Sequence, residues 1–367
     1  MVAVDYVDKS ASSSNWSTED SLSELARLVN TIGIRVTGHL IQKLSSPKRQ
    51  TYVGQGKLDE LIGTQETQPI DQLIFDDELT PLQYKTLVAM FPKIEILDRV
   101  SVILEIFSRH ARTKEGRLQI ELARAQYLLP RLTGQWKHLE RLGGGIGTRG
   151  PGESQLETDR RLIQKRITTI KKDLEKVSKH RALYRKKRQM SYIPIVALVG
   201  YTNSGKSSLL KTLTKSDVLV QNQLFATLDP TTRRLCLPNL TKILVTDTVG
   251  FIHKLPPTII EAFKSTLEEL QDASILLHVV DISSLHATEQ SITVENILAE
   301  LGIADKPVIT VYNKIDLIDY NQFLSSVDRP GTQDFLKSCP ENTVMVSAEK
   351  RLGLDRLLHN IESLLLK

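Results

Sequence analysis

Gly200-Tyr201-Thr202-Asn203-Ser204-Gly205-Lys206-Ser207 reads G-x-x-x-x-G-K-S, and the apolar, β-branched run Ile195-Val196-Ala197-Leu198-Val199 stands directly before it. A strand, a glycine loop and then Leu209-Leu210 opening a helix is the order a phosphate-binding loop requires. The glycines let the backbone wrap a polyphosphate, and amides at the following helix N-terminus point at its anionic oxygens. Lys206 is placed to reach the β- and γ-phosphates, and Ser207 to offer its hydroxyl to the Mg²⁺ that accompanies a nucleoside triphosphate. The stretch predicts an α/β P-loop domain with a mostly parallel sheet.

The base is read about a hundred residues downstream. Asn313-Lys314-Ile315-Asp316 follows the apolar strand Val308-Ile309-Thr310-Val311-Tyr312. A carboxylate such as Asp316 accepts from both the ring N–H and the exocyclic amine of guanine, whereas adenine presents an unprotonated nitrogen at that edge. Asn313 is expected to tie the surrounding loops together, and Lys314 to lay its aliphatic stem along the base plane. Ser347-Ala348-Glu349, after the strand Thr343-Val344-Met345-Val346, fits the loop whose backbone N–H meets the guanine carbonyl.

Between these ends lie the segments that sense a γ-phosphate. Asp247-Thr248-Val249-Gly250 ends the strand Ile243-Leu244-Val245-Thr246. Asp247 is expected to hold Mg²⁺ through water, and Gly250 to offer its N–H to the γ-phosphate, so that its loop orders with triphosphate and is released after hydrolysis. The other switch falls at Phe225-Ala226-Thr227-Leu228-Asp229-Pro230-Thr231-Thr232. Thr227 is the preferred magnesium ligand there, with Thr231 and Thr232 as rivals. Phe251 stands where many GTPases place a glutamine, and a phenyl ring cannot orient an attacking water. Intrinsic hydrolysis should then be slow, completed either by a partner, a contribution of about 10³ to 10⁵ in rate, or by another switch residue in cis.

At 367 residues with 40% hydrophobic content the chain is long enough for several packed domains. No apolar run approaches the roughly 18 to 20 residues that span a bilayer, and the start, with Asp5, Asp8 and serines from Ser10 to Ser14, lacks a signal-peptide pattern. Cys236 and Cys339 show no metal-ligand spacing. These features point to a soluble chain in the reducing cytoplasm.

The net charge of +5 hides an asymmetry: Arg99 to Met190 carries 23 Lys and Arg against 9 Asp and Glu, a surplus of 14 that leaves the remainder at −9. Positive charge concentrated on one segment is the footprint of a polyanion-binding arm, with RNA or DNA phosphate as the expected partner. Val100, Ile103, Leu104 and Phe107, then Leu118, Leu122, Ala125 and Leu129 predict one long helix up to Pro130. A second begins near Ser154, which has capping-box spacing to Glu157, and runs through Leu162, Ile163, Ile167, Ile170, Leu174 and Val177. Together they predict an antiparallel hairpin. Its tip, 131–153, contains Gly143-Gly144-Gly145-Ile146-Gly147-Thr148-Arg149-Gly150-Pro151-Gly152, with Trp136, His138 and Arg141 nearby, a tract suited to ordering inside an RNA crevice.

Before the hairpin, Ile34–Thr37, Thr51–Val53, Gln72–Phe75 and Ile94–Leu97 read as strands of a small parallel sheet. Gly54-Gln55-Gly56-Lys57 reads as a strand-to-helix turn, too short for a second phosphate loop. Asp76-Asp77-Glu78 reads as a turn before the helix at Pro81 rather than a metal box. The expected domains are therefore a flexible N-terminus (1–20), a small α/β domain (21–98), the basic helical hairpin (99–190) and a P-loop G domain (192–367).

Tyr52-Val53-Gly54-Gln55-Gly56-Lys57, Phe75-Asp76-Asp77-Glu78-Leu79, Ala111-Arg112-Thr113, Leu128-Leu129-Pro130-Arg131-Leu132, Gly143 to Gly147 and Arg149 to Asp159 resemble, in order and spacing, the N-terminal domain of the HflX-family GTPases. Phe225 to Asp229 and Asp247 to Phe251 are similar to that family's switch segments. The departure lies at Val100-Ser101-Val102, where the family has a polar-leucine-isoleucine stretch. The resemblance implies Thr227 as a magnesium ligand. It also implies a GTPase that binds the large ribosomal subunit, its rRNA and the assembled 70S-type ribosome; the free chain is expected to be a monomer. Such a GTPase splits stalled ribosomes under stress, with hydrolysis stimulated by the ribosome. Two other classes stay open: an ATP-dependent RNA remodeller using the N-terminal domain, and a GTP-binding switch or scaffold away from the ribosome.

Overall fold

A computed structural model describes residues 1–7, 16–67, 69–132, 155–189, 193–214, 224–225, 227–256, 259–260, 270–318 and 342–366. The chain divides into two compact units. One is built mainly from Met1–Arg109 and Lys114–Lys179, and the other mainly from His180–Leu255 and Phe263–Lys367 together with the short segment His110–Thr113. The segments expected as a small α/β domain and a separate hairpin thus fall largely in one unit.

In the first unit, β1 (Val2–Tyr6), β2 (Leu40–Leu44), β3 (Gln72–Phe75) and β4 (Glu95–Asp98) form a parallel sheet of order β2-β1-β3-β4. This corrects the sequence reading at three places. Within the stretch expected as a flexible lead (1–20), Val2–Tyr6 is β1, an interior strand paired from Val2 opposite Leu40 to Tyr6 opposite Leu44, and a helix begins at Thr18; residues 8–15 lie outside the described residues. The second strand lies at Leu40–Leu44 rather than Ile34–Thr37, and Thr51–Val53 is a turn in which Tyr52 adopts φ +68°. Val-Ala-Val-Asp-Tyr is too short to announce itself, and its parallel partner lies across a helical connection, so only tertiary pairing reveals it.

Helices α1 (Thr18–Thr31), α2 (Gln55–Thr67) and α3 (Pro81–Met90) supply the connections. The Ser17 hydroxyl caps α1 by accepting the Asp20 N–H at 3.1 Å, and Thr80 and Gln83 form a reciprocal capping box at α3. Val2, Val4, Leu58, Leu73, Phe75, Leu79, Leu87 and Ile96 fill the core. Each fully buried large aliphatic or aromatic side chain contributes about 1.5–3 kcal/mol relative to exposure. Gly54 donates its N–H to Gln42 Oε1 at 2.7 Å as α2 begins, and Lys57 pairs with Glu60. The three acidic residues take separate partners: Asp76 pairs with buried Arg99, which also holds Glu24; Asp77 accepts the Tyr6 and Tyr52 hydroxyls; Glu78 pairs with Arg131.

The long helix expected from Val100 to Pro130 is two, α4 (Arg99–His110) and α5 (Lys114–Leu128), interrupted at Ala111-Arg112-Thr113. Beyond them α6 runs from Gln155 to Gln189. Arg166 on α6 pairs with Glu121 on α5 at 2.7 Å. Asp173, one helical stretch further on, has its carboxyl lowered first by Lys176 and also by Lys114 at the start of α5. That reversed order of partners makes α5 and α6 antiparallel. Tip residues 133–153, with Trp136, His138, Arg141 and the glycine run, and the cap residue Ser154 lie outside the described residues.

The second unit holds a six-stranded sheet of order β10-β9-β8-β5-β7-β6. Its strands are β5 (Ile195–Gly200), β6 (Thr231–Cys236), β7 (Lys242–Asp247), β8 (Ile275–Asp281), β9 (Val308–Asn313) and β10 (Thr343–Met345). All pair in parallel except β6, which runs antiparallel to β7 at one edge. The central strands are continuous apolar runs because helices cover both faces: α7 (Lys206–Thr214), α8 (Ala287–Glu300) and α9 (Leu354–Leu365). Leu198, Leu209, Val245, Leu277, Val311, Leu357 and Ile361 pack together in the core. Among the described residues no helix is long and apolar enough to cross a membrane.

Candidate guanine-nucleotide site

The site lies at the carboxyl ends of β5, β7, β8 and β9, where a parallel sheet delivers its loops to one edge. The chain leaves β5 at Gly200, turns through the loop and enters α7 at Lys206. Gly205 has φ +95°, and a Cβ there would stand 2.1 Å from Asn313 Nδ2, so glycine is required both by conformation and by close approach. Lys206 is buried and donates to the carbonyls of Gly200 (3.1 Å) and Tyr201 (2.7 Å). Burial pushes its ammonium down to about 8, opposed by Asp247.

Three oxygens converge beside it. Ser207 Oγ lies 2.6 Å from Asp247 Oδ2 and 2.8 Å from Thr227 Oγ1, and Thr227 Oγ1 lies 3.0 Å from the same carboxylate oxygen. The structure therefore brings Thr227 to this cluster. Thr231 and Thr232 begin β6 instead, where Thr232 bonds to Thr246. Burial raises the Asp247 carboxyl, while Lys206, Ser207 and Thr227 pull it down. Asp247 Oδ1 is buried with no hydrogen-bond partner. Hard hydroxyl and carboxylate oxygens around an unsatisfied buried acceptor are a donor set that fits Mg²⁺.

The two switches reach the phosphate loop. Thr202 Oγ1 accepts the Phe225 N–H at 2.9 Å, Thr202 N–H donates to Phe251 O at 2.7 Å, and Phe251 N–H to Gly200 O at 3.1 Å. A Cβ on Gly250 would meet Thr202 Cα at 2.7 Å and Lys206 Nζ at 3.0 Å, so the backbone of the second switch presses directly on the loop. Thr248 is anchored below it by donating to Leu198 O at 2.6 Å, and Val249, Phe251 and Leu228 are buried. Ala226 lies outside the described residues.

Asn313 ties the loops together: its Nδ2 donates to Ser204 O at 2.9 Å and its Oδ1 accepts the Ala348 N–H at 3.0 Å. Lys314 turns through φ +65°, and its ammonium pairs with Asp281 at 2.6 Å. Ile315 and Asp316 follow in a short 3₁₀ turn, and Ser347 is buried, its hydroxyl accepting the Lys350 N–H. Three contributions escaped the sequence reading. Asp281 holds Lys314, and its only signal was its place at the end of an apolar strand. Asp229 points its carboxylate at the Arg112 N–H (2.8 Å), the Thr113 N–H (2.9 Å) and the Thr113 hydroxyl. Tyr201 accepts the His253 N–H on its hydroxyl at 2.7 Å.

Comparison with known proteins matches the chain in three consecutive parts. The descriptions "GTP-binding GTPase N-terminal", "GTP-binding GTPase Middle Region" and "50S ribosome-binding GTPase" match residues 19–108, 110–188 and 195–314. GTPase HflX of Caldanaerobacter subterraneus subsp. tengcongensis is 48% identical over 349 residues, 95% of this chain and 78% of that protein. The chain belongs to the HflX family of GTPases. GTPase HflX of Escherichia coli is 39% identical, over 92% of this chain and 77% of its own length. A crystal structure of SsGBP in complex with GDP superposes with a TM-score of 0.50 at 28% identity, covering 99% of this chain and 98% of that one. Like its HflX relatives, the chain binds guanine nucleotide and hydrolyses GTP to GDP and phosphate.

Proposed function

We propose that this HflX-family GTPase binds the large ribosomal subunit and the assembled ribosome, splits stalled ribosomes under stress, and hydrolyses GTP fastest when ribosome-bound. The observation that carries this reading is the exposed positive charge of α6: Arg160, Lys165, Arg166, Lys171, Lys172 and Lys176 are all exposed on one helix of the chain's most positively charged segment. Such a helix suits a dense phosphate surface. The match of 195–314 to a description naming the 50S ribosome supports the choice of polyanion. Cytoplasmic residence follows from that partner.

Phe251 gives the second support. Its ring is buried and its backbone is paired to the phosphate loop, so this position offers the attacking water nothing. Stimulation by a bound surface is then the expected mode of turnover. In the proposed site Ser207, Thr227 and, through water, Asp247 would hold Mg²⁺, which would supply charge neutralisation to the phosphates. Lys206 binds the same phosphates, Gly250 orients its N–H toward the γ-phosphate, and Asp316 reads the guanine edge while Lys314, held by Asp281, covers its face. The tip residues Gly143 to Gly152 are the proposed rRNA contact.

The test is GTP turnover with and without purified large subunits, alongside a variant with Gly143–Gly152 shortened. Strong stimulation that the shortened variant loses supports the reading. No stimulation and no co-sedimentation of the triphosphate form with subunits overturns it.

A further inference from the structure

We propose that Tyr201 is a positioning residue for GTP hydrolysis: its hydroxyl holds the second switch against the phosphate loop, so that Gly250 is aimed where the γ-phosphate sits. Wrapping a polyphosphate needs glycines, backbone amides and Lys206; it places no demand on the side chains at the variable positions of the loop. Yet two consecutive variable positions of this loop carry hydroxyls, and each accepts a backbone N–H from a different switch. Thr202 Oγ1 takes Phe225 of the first, and Tyr201 Oη takes His253 of the second, at 2.9 and 2.7 Å.

The contact matters because of what lies between its ends. Tyr201 and Phe251 pair as an isolated parallel bridge, and Tyr201 is 5% exposed, so its ring is fixed. The chain leaving Gly250 is therefore held twice in succession, by the bridge at Phe251 and by the phenol at His253. Immediately beyond, Lys254 turns through φ +54°, an uncommon conformation for lysine, and the path changes direction. Without the phenol the strap beyond Phe251 loses one hydrogen bond before that turn. Gly250, pressed on Thr202 and close to Lys206 Nζ, would then sample positions in which its N–H misses the phosphate.

The role predicts a split that mere structural support would not produce. Tyr201→Phe keeps the ring and removes one neutral hydrogen bond, so kcat for single-turnover GTP hydrolysis should fall about two- to tenfold. Affinity for a non-hydrolysable GTP analogue should fall by a similar factor, whereas GDP, which does not engage Gly250, should bind within about twofold of the parent. Amide exchange at His253 in the parent should be slower with the analogue bound than with GDP, and that protection should vanish in the variant. Unchanged kcat with an unchanged analogue-to-GDP affinity ratio would overturn the proposal. So would parallel losses of GDP and analogue affinity, which mark simple support of the loop. Equal His253 exchange in the two liganded forms of the parent overturns it whatever the variant does.

Discussion

The Asn313 side-chain amide donates to the Ser204 carbonyl at 2.9 Å, joining the base-reading loop to the phosphate loop across 109 residues of sequence. Its oxygen meanwhile takes the Ala348 N–H, so one side chain fixes three loops. Asn313→Ala leaves a buried carbonyl and a buried N–H without partners, at about 1–3 kcal/mol each. GDP and GTP affinities should fall together by tenfold or more in equilibrium titration, and a loss confined to GTP would contradict this role.

In the proposed site Asp316 reads the base by accepting two hydrogens from guanine. Asp316→Asn replaces one acceptor with a donor, which suits a ring bearing a carbonyl in place of the amine. The variant should prefer xanthine nucleotides over guanine nucleotides in competition binding; retained guanine preference would remove Asp316 from the assignment.

Thr227 of the first switch meets both Ser207 and Asp247. Thr227→Ala should slow single-turnover hydrolysis by at least about tenfold, the size expected when a group stabilising transition-state charge is lost, with GDP affinity retained. Chelating Mg²⁺ should slow the parent protein likewise, and the variant should then respond less to added Mg²⁺.

Asp229 accepts the N–H groups of Arg112 and Thr113 in the break just before α5. Asp229→Ala should cost about 0.5–1.5 kcal/mol, the net size of a hydrogen bond, read as a lower denaturation midpoint. A midpoint that does not move would mean that solvent replaces the carboxylate without loss.

His278 lies in β8 between Val199 and Thr310, and burial, aided by Lys206, pushes it down to about 4. The unfolded chain, with an ordinary histidine near 6.5, binds the proton more readily. Stability is therefore present above pH 6.5 and lost as pH falls toward 4, by about 3 kcal/mol if this group acts alone. His278→Gln should flatten that part of the stability curve in denaturant titrations at stepped pH.

The phosphate loop and the apolar strands of the second unit were legible in the sequence because their chemistry is local. A glycine loop must follow its strand and precede its helix, and a run buried on both faces is apolar throughout. Thr227 was separable from Thr231 and Thr232 only through resemblance, since all three are loop hydroxyls until the fold brings one to Ser207. The break between α4 and α5 was invisible for a related reason: apolar spacing continues across it, while the carboxylate that satisfies Arg112 and Thr113 comes from Asp229, 117 and 116 residues away.

The amino-acid sequence by itself determined that this chain binds a guanine nucleotide, that Phe251 brings no water-orienting group, and that positive charge gathers between Arg99 and Met190. Only the tertiary structure decided that Val2–Tyr6 is an interior strand, that Asp281 holds Lys314, and that Tyr201 and Thr202 grip the two switches. Those are pairings between groups far apart in the chain, and a backbone N–H or a lone carboxylate carries no mark in sequence of the partner that folding will bring to it.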